Sequence, residues 1–149
     1  MSGRRSAWAR TRAFTLVELV VVMTIIAILA TAVAVEVTNR VRVARRTRAL
    51  QDIKTFETAL DLYAADNGAP PTTEQGLAAL RKRPSIPPIP RNWNGPYIKK
   101  DVPLDPWGNE YVYRYPGQRN PDGYDLISYG ADGKPGGEDW DADITNFDD

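Results

Sequence analysis

Carboxylates and glycines alternate in one segment near the C-terminus, and oxygen-rich segments of this kind bind hard cations. Five acidic residues fall within twelve positions, namely Asp132, Glu138, Asp139, Asp141 and Asp143. Calcium takes about six to eight oxygen ligands from carboxylates and carbonyls, and glycine lets the backbone wrap closely around the ion. The segment therefore predicts a calcium site, and a solvated acidic tail is the alternative.

Two features of this segment favour the metal over the tail. The acidic residues follow a predicted strand directly, so the backbone enters the segment already ordered. The segment also has few apolar residues, and ordering it therefore needs a source of free energy other than burial. The spacing of the carboxylates differs from that of an EF-hand loop.

A single carboxylate, Glu18, lies within the apolar run from Phe14 to Val35. A helix over this run, at about 1.5 Å per residue, spans the roughly 30 Å hydrocarbon core of a bilayer. An ionised side chain at this depth is costly unless an opposite charge pairs with it. The run therefore predicts a membrane-spanning helix, and Glu18 predicts a partner of opposite charge.

The composition argues against catalysis. The chain of 149 residues contains no histidine and no cysteine. The usual general base, the usual zinc ligand, the thiol nucleophile and the disulfide are therefore all missing. We predict that the protein is not an enzyme.

Arginines follow the apolar run closely, at Arg40, Arg42, Arg45, Arg46 and Arg48. Aromatic partners are missing around them and the rest of the chain is acidic, so the pattern does not favour nucleic acid. Anionic lipid headgroups, or acidic patches on neighbouring copies, are better partners for such a stretch. A solvated helix face is the alternative.

One long helix is expected to carry both the apolar run and the arginines. No proline or glycine interrupts the chain between Phe14 and Asn67, and Gly68 and two prolines then end the helix. Apolar residues at three- and four-residue spacing predict that its second half packs on a core. Those residues are Leu50, Ile53, Phe56, Leu60 and Tyr63.

The remainder predicts an α+β fold with little regular structure. The stretch "PPTTEQGLAAL" predicts a short helix capped by Thr72 or Thr73, and a proline-rich surface loop follows it. The sequence "DPWGN" predicts a turn. The runs "EYVYRYP" and "YDLISYG" predict two strands of a small antiparallel sheet packed on the long helix. The tryptophans Trp93 and Trp107 are expected to pack against the core.

The stretch "RTRAFTLVELVVVMTIIAIL" resembles the class III signal of type IV pilins and type II secretion pseudopilins. This resemblance implies that a prepilin peptidase cleaves between Ala13 and Phe14 and N-methylates Phe14. Glu18 then becomes the fifth residue of the mature chain. In the family, the glutamate at this position meets the N-terminal amine of a neighbouring subunit, which implies an assembly role for Glu18.

Three further stretches resemble the major, G-type pseudopilin of the type II secretion system, namely "PPTTEQGLAAL", "GPYIKKDVPLDPWGNEYVY" and "YDLISYGADGKPGGEDWDADI". The resemblance implies a pilin-like fold, with the long helix on the sheet and a calcium-bound C-terminal loop. It implies Asp132, Asp141 and Asp143 as side-chain ligands, with Asp139 in reserve and Tyr129 as a backbone carbonyl.

The chain departs from the family pattern at three places. Ala13 stands where the family usually has glycine before the cut, and Ala27 stands where it often has a mid-helix glycine. Val35 and Glu36 stand where the family often has a helix-breaking proline. These departures bear on the rate of cleavage and on local melting of the helix in filaments.

The resemblance also implies an organisation: a cleaved basic leader over residues 1–13, a transmembrane and assembly helix over 14–35, and a periplasmic domain over 36–149. The protein would be a single-pass inner-membrane subunit that polymerises into a filament and drives export of folded proteins. Its partners would be prepilin peptidase, minor pseudopilins and the inner-membrane assembly platform. The alternatives are a type IV pilin or minor pilin for adhesion or DNA uptake, and a secreted calcium-binding domain.

Overall fold

The structure is a computed structural model that describes residues 14–147. The predicted leader, Ala13 included, lies outside the described residues. The chain divides into two units between Arg40 and Val41. This division falls a few residues beyond the boundary predicted at Val35.

The long helix α1 runs over Leu16–Asn67 and contains 52 residues, which confirms the predicted single helix. In its first unit the side chains described between Phe14 and Ala34 are all exposed. By length and composition this part of α1 is suited to crossing a membrane. Among residues 14–40, no residue covers its apolar surface.

In the second unit α1 buries one stripe of side chains. The stripe consists of Ala49, Ile53, Phe56, Leu60 and Tyr63, all of them at most 3 % exposed. Their three- and four-residue spacing places them on one helix face. This face forms the helical side of the core, and the Phe56 and Tyr111 rings meet edge to face at 5.2 Å.

The prediction of Leu50 as a core residue was wrong, because Leu50 is 40 % exposed and Ala49 is fully buried. Each helical residue turns about 100° from the last, so Leu50 lies about 100° from the centre of the buried stripe. Ala49 lies at that centre, in register with Ile53 and Phe56. Four of the five predicted positions are confirmed.

The helix ends where the sequence predicted. Gly68 takes a φ of 85° and its N–H donates to the Ala64 carbonyl at 2.7 Å. The predicted short helix after it is confirmed as a 3₁₀ helix over Leu77–Leu80, which a turn precedes. Thr72 caps the turn, since its Oγ1 accepts from Gln75 N–H at 3.3 Å.

The proline-rich segment is an ordered loop, as predicted, and one buried side chain holds it in place. Gln75 Nε2 donates to the carbonyls of Ile86 at 2.8 Å and Pro88 at 2.9 Å. Trp93 Nε1 fixes the far end of the loop by donating to the Ala79 carbonyl at 3.0 Å. The loop therefore has a defined conformation without helix or strand.

The two predicted strands are confirmed as β1 (Val112–Arg114) and β2 (Asp125–Ser128), paired antiparallel with Tyr113 opposite Leu126. A third strand, β3 (Ile144–Thr145), pairs antiparallel with the other edge of β2. The order is β1-β2-β3, so β2 is central and all four of its residues are buried.

The strand β3 corrects the expectation that the C-terminal segment has little to bury. Ile144 is only 2 % exposed and belongs to the core cluster. One buried isoleucine and two residues paired with β2 bring the chain back to the sheet. The acidic segment is thus a loop closed at both ends by strands, not a tail.

Candidate assembly and cation-binding sites

The start of α1 is capped by a residue that the sequence analysis passed over. Thr15 Oγ1 accepts a hydrogen bond from Glu18 N–H at 3.1 Å. Threonine before the helix with glutamate three residues later is the capping-box pattern, which was the available sequence signal. Glu18 therefore lies in the first turn of α1, where the helix dipole favours a negative charge.

No ion pair to Glu18 forms within residues 14–147. The predicted partner of opposite charge is therefore not supplied by the described part of the chain. The residues around Glu18 are exposed and apolar, including Phe14, Leu16 and Val17. This combination is a carboxylate at the end of an uncovered apolar helix.

The loop between β2 and β3, residues 129–143, is built around residues in the left-handed region of backbone space. Gly130, Gly133, Gly136 and Gly137 have φ between 66° and 94°. Asp139 has a φ of 53°, a conformation that aspartate tolerates better than most residues. The glycines that the sequence analysis noted therefore let the loop fold back on itself.

Asp143 is the predicted ligand with the most constrained surroundings. Its Oδ2 accepts a hydrogen bond from Gly136 N–H at 2.9 Å. Its Oδ1 is buried and has no hydrogen-bond partner among residues 14–147. A desolvated carboxylate oxygen without a partner is unfavourable unless a donor or a cation meets it. This oxygen fits the chemistry of a hard cation.

The other predicted ligands are not gathered around Asp143. Asp132, Asp139 and Asp141 are exposed, and Asp132 Oδ1 accepts from Lys134 N–H at 3.1 Å. Within residues 14–147 no three acidic side chains lie close enough to hold a metal ion. Tyr129, the predicted carbonyl ligand, lies directly after β2 and is half-buried.

A buried polar network fixes the entrance of the loop, and the sequence analysis missed it. Asp105 Oδ2 accepts from the Ser128 hydroxyl at 2.7 Å, and Ser128 Oγ accepts from Gly130 N–H at 3.3 Å. Asn109 Nδ2 donates to the Gly130 carbonyl at 3.3 Å. The signal was the aspartate that opens "DPWGN", because aspartate in that position binds the backbone of its own turn.

Asp125 organises the connection between β1 and β2. It is fully buried, and its carboxylate accepts from the N–H groups of Gln118 at 2.7 Å and Asn120 at 2.9 Å. Burial by itself raises the pKa of Asp125, but hydrogen bonds from the backbone of Arg119, Asn120 and Gln118 outweigh burial and lower the pKa. No sequence signal separated Asp125 from the other aspartates.

A long helix with one uncovered apolar half and a folded α+β head is the architecture of a subunit that assembles through its N-terminus. Family models match both parts. Residues 8–34 match the prokaryotic N-terminal methylation motif. Residues 36–147 match the model described as type II secretion system (T2SS), protein G.

Curated relatives agree with these matches. The chain is 51 % identical over 135 residues to the type II secretion system core protein G of Pseudomonas aeruginosa, covering 91 % of this chain and 94 % of the relative. It is 44 % identical over 136 residues to the protein of the same description in Escherichia coli strain K12, covering 91 % and 90 %.

A solved structure agrees as well. The major pseudopilin from the type 2 secretion system of enterohaemorrhagic Escherichia coli matches with a TM-score of 0.59 and 42 % identity. The match covers 69 % of this chain and 86 % of that one. The chain belongs to the type II secretion system protein G family. The predicted long helix on a small antiparallel sheet and the resemblance to major pseudopilins are thereby confirmed, and the protein is a structural subunit rather than an enzyme.

Proposed function

We propose that this protein is the polymerising subunit of a periplasmic filament that drives export of folded proteins across the outer membrane. The observation that carries the proposal is the apolar surface of α1, whose described side chains from Phe14 to Ala34 are all exposed. Such a surface needs lipid before assembly and neighbouring helices after it. The head buries its own core and stays outside the packed helices.

Cleavage between Ala13 and Phe14 creates the positive charge that Glu18 needs as a partner. The new amine of Phe14 is cationic, and a neighbouring subunit brings its amine to Glu18 when the helices dock. An uncompensated carboxylate in an apolar bundle is unfavourable, so docking at one offset is favoured over others. Glu18 would then set the register of assembly, and the leader would prevent assembly before cleavage.

Calcium in the loop over residues 129–143 is the second part of the proposal. The unpartnered Oδ1 of Asp143 supports it, together with the left-handed glycines and the strand at each end of the loop. Asp132, Asp141 and Asp143 would supply carboxylates, with Asp139 in reserve and Tyr129 supplying its carbonyl. A bound divalent cation neutralises these charges and orders a loop that has few apolar residues.

The family assigns the chain to a membrane-anchored subunit that is processed at its N-terminus and assembles into a pseudopilus. We place it in the bacterial inner membrane as a single-pass protein with the head in the periplasm. Prepilin peptidase, minor pseudopilins and the inner-membrane assembly platform would be its partners. Energy would come from another subunit, because the sequence has no nucleotide-binding loop.

The test is the intact mass and the N-terminal peptide of the protein extracted from membranes. A mature chain that begins at N-methylated Phe14 supports the proposal and shows that Ala13 is accepted before the cut. A chain that begins at Val33 or Val35, directly after the A-x-A triplets Ala30-Thr31-Ala32 and Ala32-Val33-Ala34, indicates removal of an ordinary signal peptide. That outcome would remove the apolar helix from the mature protein and overturn the filament function.

A Glu18→Gln variant tests the register role separately. It keeps the shape of the side chain and the N–H that Thr15 caps, but it removes the charge. Processing should be unchanged. The amount of filament recovered from cells that overproduce the variant should fall at least tenfold, which corresponds to about 1.4 kcal/mol per subunit contact. Glu36→Gln is the matched control, since Glu36 pairs with Arg40 within its own helix.

A further inference from the structure

A cleft of about 510 Å³ lies between α1 and the loop over residues 129–143. Three arginines line the helix side, namely Arg42, Arg45 and Arg46. The loop side is lined by Glu138, Asp139 and Asp141, and two tryptophans, Trp107 and Trp140, complete the wall. We call this space the arginine–tryptophan cleft.

The three arginines lie on the helix face that forms the core one to two turns further along the helix. At about 100° per residue, Arg42 lies within about 20° of Ala49, at the centre of the buried stripe. At this point the stripe changes from apolar to cationic, and the loop covers it in place of the sheet. Guanidinium groups on this part of α1 therefore face a cavity. On the following turns of α1, the same face buries apolar side chains in the core.

Two of the three arginines have a partner within the described structure. Arg46 Nη1 donates to the Ala142 carbonyl at 3.2 Å, and the Arg42 guanidinium carbon lies 5.9 Å from the centroid of the Trp140 ring. Arg45 is exposed and forms no hydrogen bond or ion pair with the residues that the structure describes. The donors of Arg45 are therefore available to a ligand in the cleft.

The balance of charge constrains the ligand. Three arginines face three carboxylates, of which Glu138 lies outside the proposed set of calcium ligands, so the lining carries charges of both signs. The charges are separated, however, with the guanidinium groups on the helix and the carboxylates on the loop. Indole rings are favoured where apolar chains meet water, because one edge of the ring is polar. The lining therefore suits an amphiphile with a phosphate and a separate cationic group.

The place of the cleft in the chain indicates where such an amphiphile comes from. Arg42 follows the predicted membrane-spanning run by seven residues of the same helix. Arginine near the end of a membrane helix contacts lipid phosphates. We propose that the arginine–tryptophan cleft binds the zwitterionic headgroup of a phospholipid, with the phosphate at Arg45 and Arg42 and the ammonium group toward Glu138, the lining carboxylate that the proposed calcium site does not use.

This proposal rests on the membrane-anchored state in the proposed function, and it assigns a role to the arginines that assembly through Glu18 leaves unused. A bound headgroup would hold the subunit as a monomer whose cleft is filled by lipid. Extraction of the helix into a filament would remove the lipid. The same cleft would then be free in the assembled state.

The test uses the full chain extracted from membranes in a neutral detergent and titrated with dihexanoyl phosphatidylethanolamine. Native mass spectrometry gives the fraction of chains that retain one lipid, and thus an apparent Kd. Arg45→Gln should weaken this Kd about tenfold, since a hydrogen bond to a charged group is worth about 1.4 kcal/mol or more. Trp140→Leu should weaken it as well.

The matched control is Arg40→Gln, which removes one charge nearer the apolar run from a residue that does not line the cleft. Equal weakening by Arg40→Gln and Arg45→Gln would show diffuse charge attraction and overturn the proposal. Retention of inorganic phosphate as tight as that of the lipid would overturn it too. So would an Arg45→Gln variant with unchanged lipid binding and reduced self-association, because the cleft would then bind a second copy.

The mass of the chain in the same spectra separates this proposal from the proposed function. A chain that is not processed at Phe14 removes the filament function, whatever the lipid titration shows. A processed chain that retains no lipid removes the cleft proposal alone.

Discussion

The Ser128 hydroxyl donates to Asp105 Oδ2 at 2.7 Å, and both residues are nearly inaccessible to solvent. The bond joins the last residue of the central strand to the turn that precedes β1. The other carboxylate oxygen, Asp105 Oδ1, accepts from the N–H groups of Trp107 at 3.0 Å and Asn109 at 2.8 Å. One buried carboxylate thus holds the turn and the end of the strand, and through Ser128 it is linked to Gly130 in the loop.

Replacing Ser128 with alanine should destabilise the head by about 1–3 kcal/mol, because it leaves a buried carboxylate oxygen without its donor. Urea unfolding of the full chain in detergent, followed by tyrosine and tryptophan circular dichroism, measures the change. Ser85→Ala is the matched control, since Ser85 is exposed in the proline-rich loop. Equal stability of the two variants would contradict the network described here.

Asp125 predicts how acid acts on the head. The folded-state pKa of Asp125 is lowered from 3.8, which means that the folded state stabilises the ionised carboxylate relative to the unfolded chain. The stabilisation is fully present above pH 3.8, where the carboxyl is ionised in both states. It is lost as the pH falls below 3.8 and through the folded-state pKa.

Asp125→Asn should therefore lower the free energy of unfolding at pH 7, and the difference from the unsubstituted chain should shrink as the pH falls below 4. Urea midpoints at pH 7, 5, 4 and 3 measure this difference. Asp122→Asn, at an exposed position in the same connection, is the matched control for loss of one negative charge. A difference that stays constant with pH would exclude ionisation of Asp125 as its source.

The sequence predicted the elements that depend on long or strong local signals. The helix from residue 16 to 67 has an uninterrupted pattern, a threonine before it and a glycine after it. The strand around Tyr113 alternates between half-buried and buried residues, and all four residues of the strand around Leu126 are buried. The two errors in the core and sheet lie where the signal is short: β3 has two residues, and the choice between Ala49 and Leu50 depends on rotation about the helix axis.

The candidate sites were predictable only in part, for physical reasons. Glu18 is conspicuous because an isolated charge in an apolar run is unfavourable. Asp105 and Asp125 are two aspartates among many, and what distinguishes them is burial, which depends on the tertiary fold. The arginine–tryptophan cleft needs residues about 100 positions apart in sequence, such as Arg42 and Trp140, to meet. The local sequence pattern carries no information about contacts between residues so far apart.

Calcium should stabilise the head by mass action, by about 2.7 kcal/mol when its concentration is a hundred times Kd. Asp143→Asn should abolish the calcium-dependent rise in Tm. The amide keeps an oxygen that can accept from Gly136 N–H, so the loss isolates the charge. Thermal melts with calcium and with a chelator give the result, and Asp122→Asn is the control. An unchanged rise in Asp143→Asn would remove Asp143 from the set of ligands.

Two neighbouring glycines allow the loop conformation to be tested without changing any charge. Gly136 and Gly137 both have positive φ, at 94° and 91°. A Cβ at Gly136 would meet no described residue within 4 Å, whereas a Cβ at Gly137 would clash with the Asp141 carbonyl oxygen. Alanine at either position is strained by about 1–2 kcal/mol, but only Gly137→Ala forces the backbone of Asp141 to move.

Gly136→Ala should therefore lower stability modestly and leave the calcium response in place. Gly137→Ala should lower stability further and weaken the calcium-dependent rise in Tm, because the backbone of Asp141 is displaced from its position in the loop. Limited proteolysis, with fragments identified by mass, should show faster cleavage between residues 129 and 143 in Gly137→Ala alone. Equal behaviour of the two variants would mean that the close approach of Gly137 to Asp141 does not hold the loop.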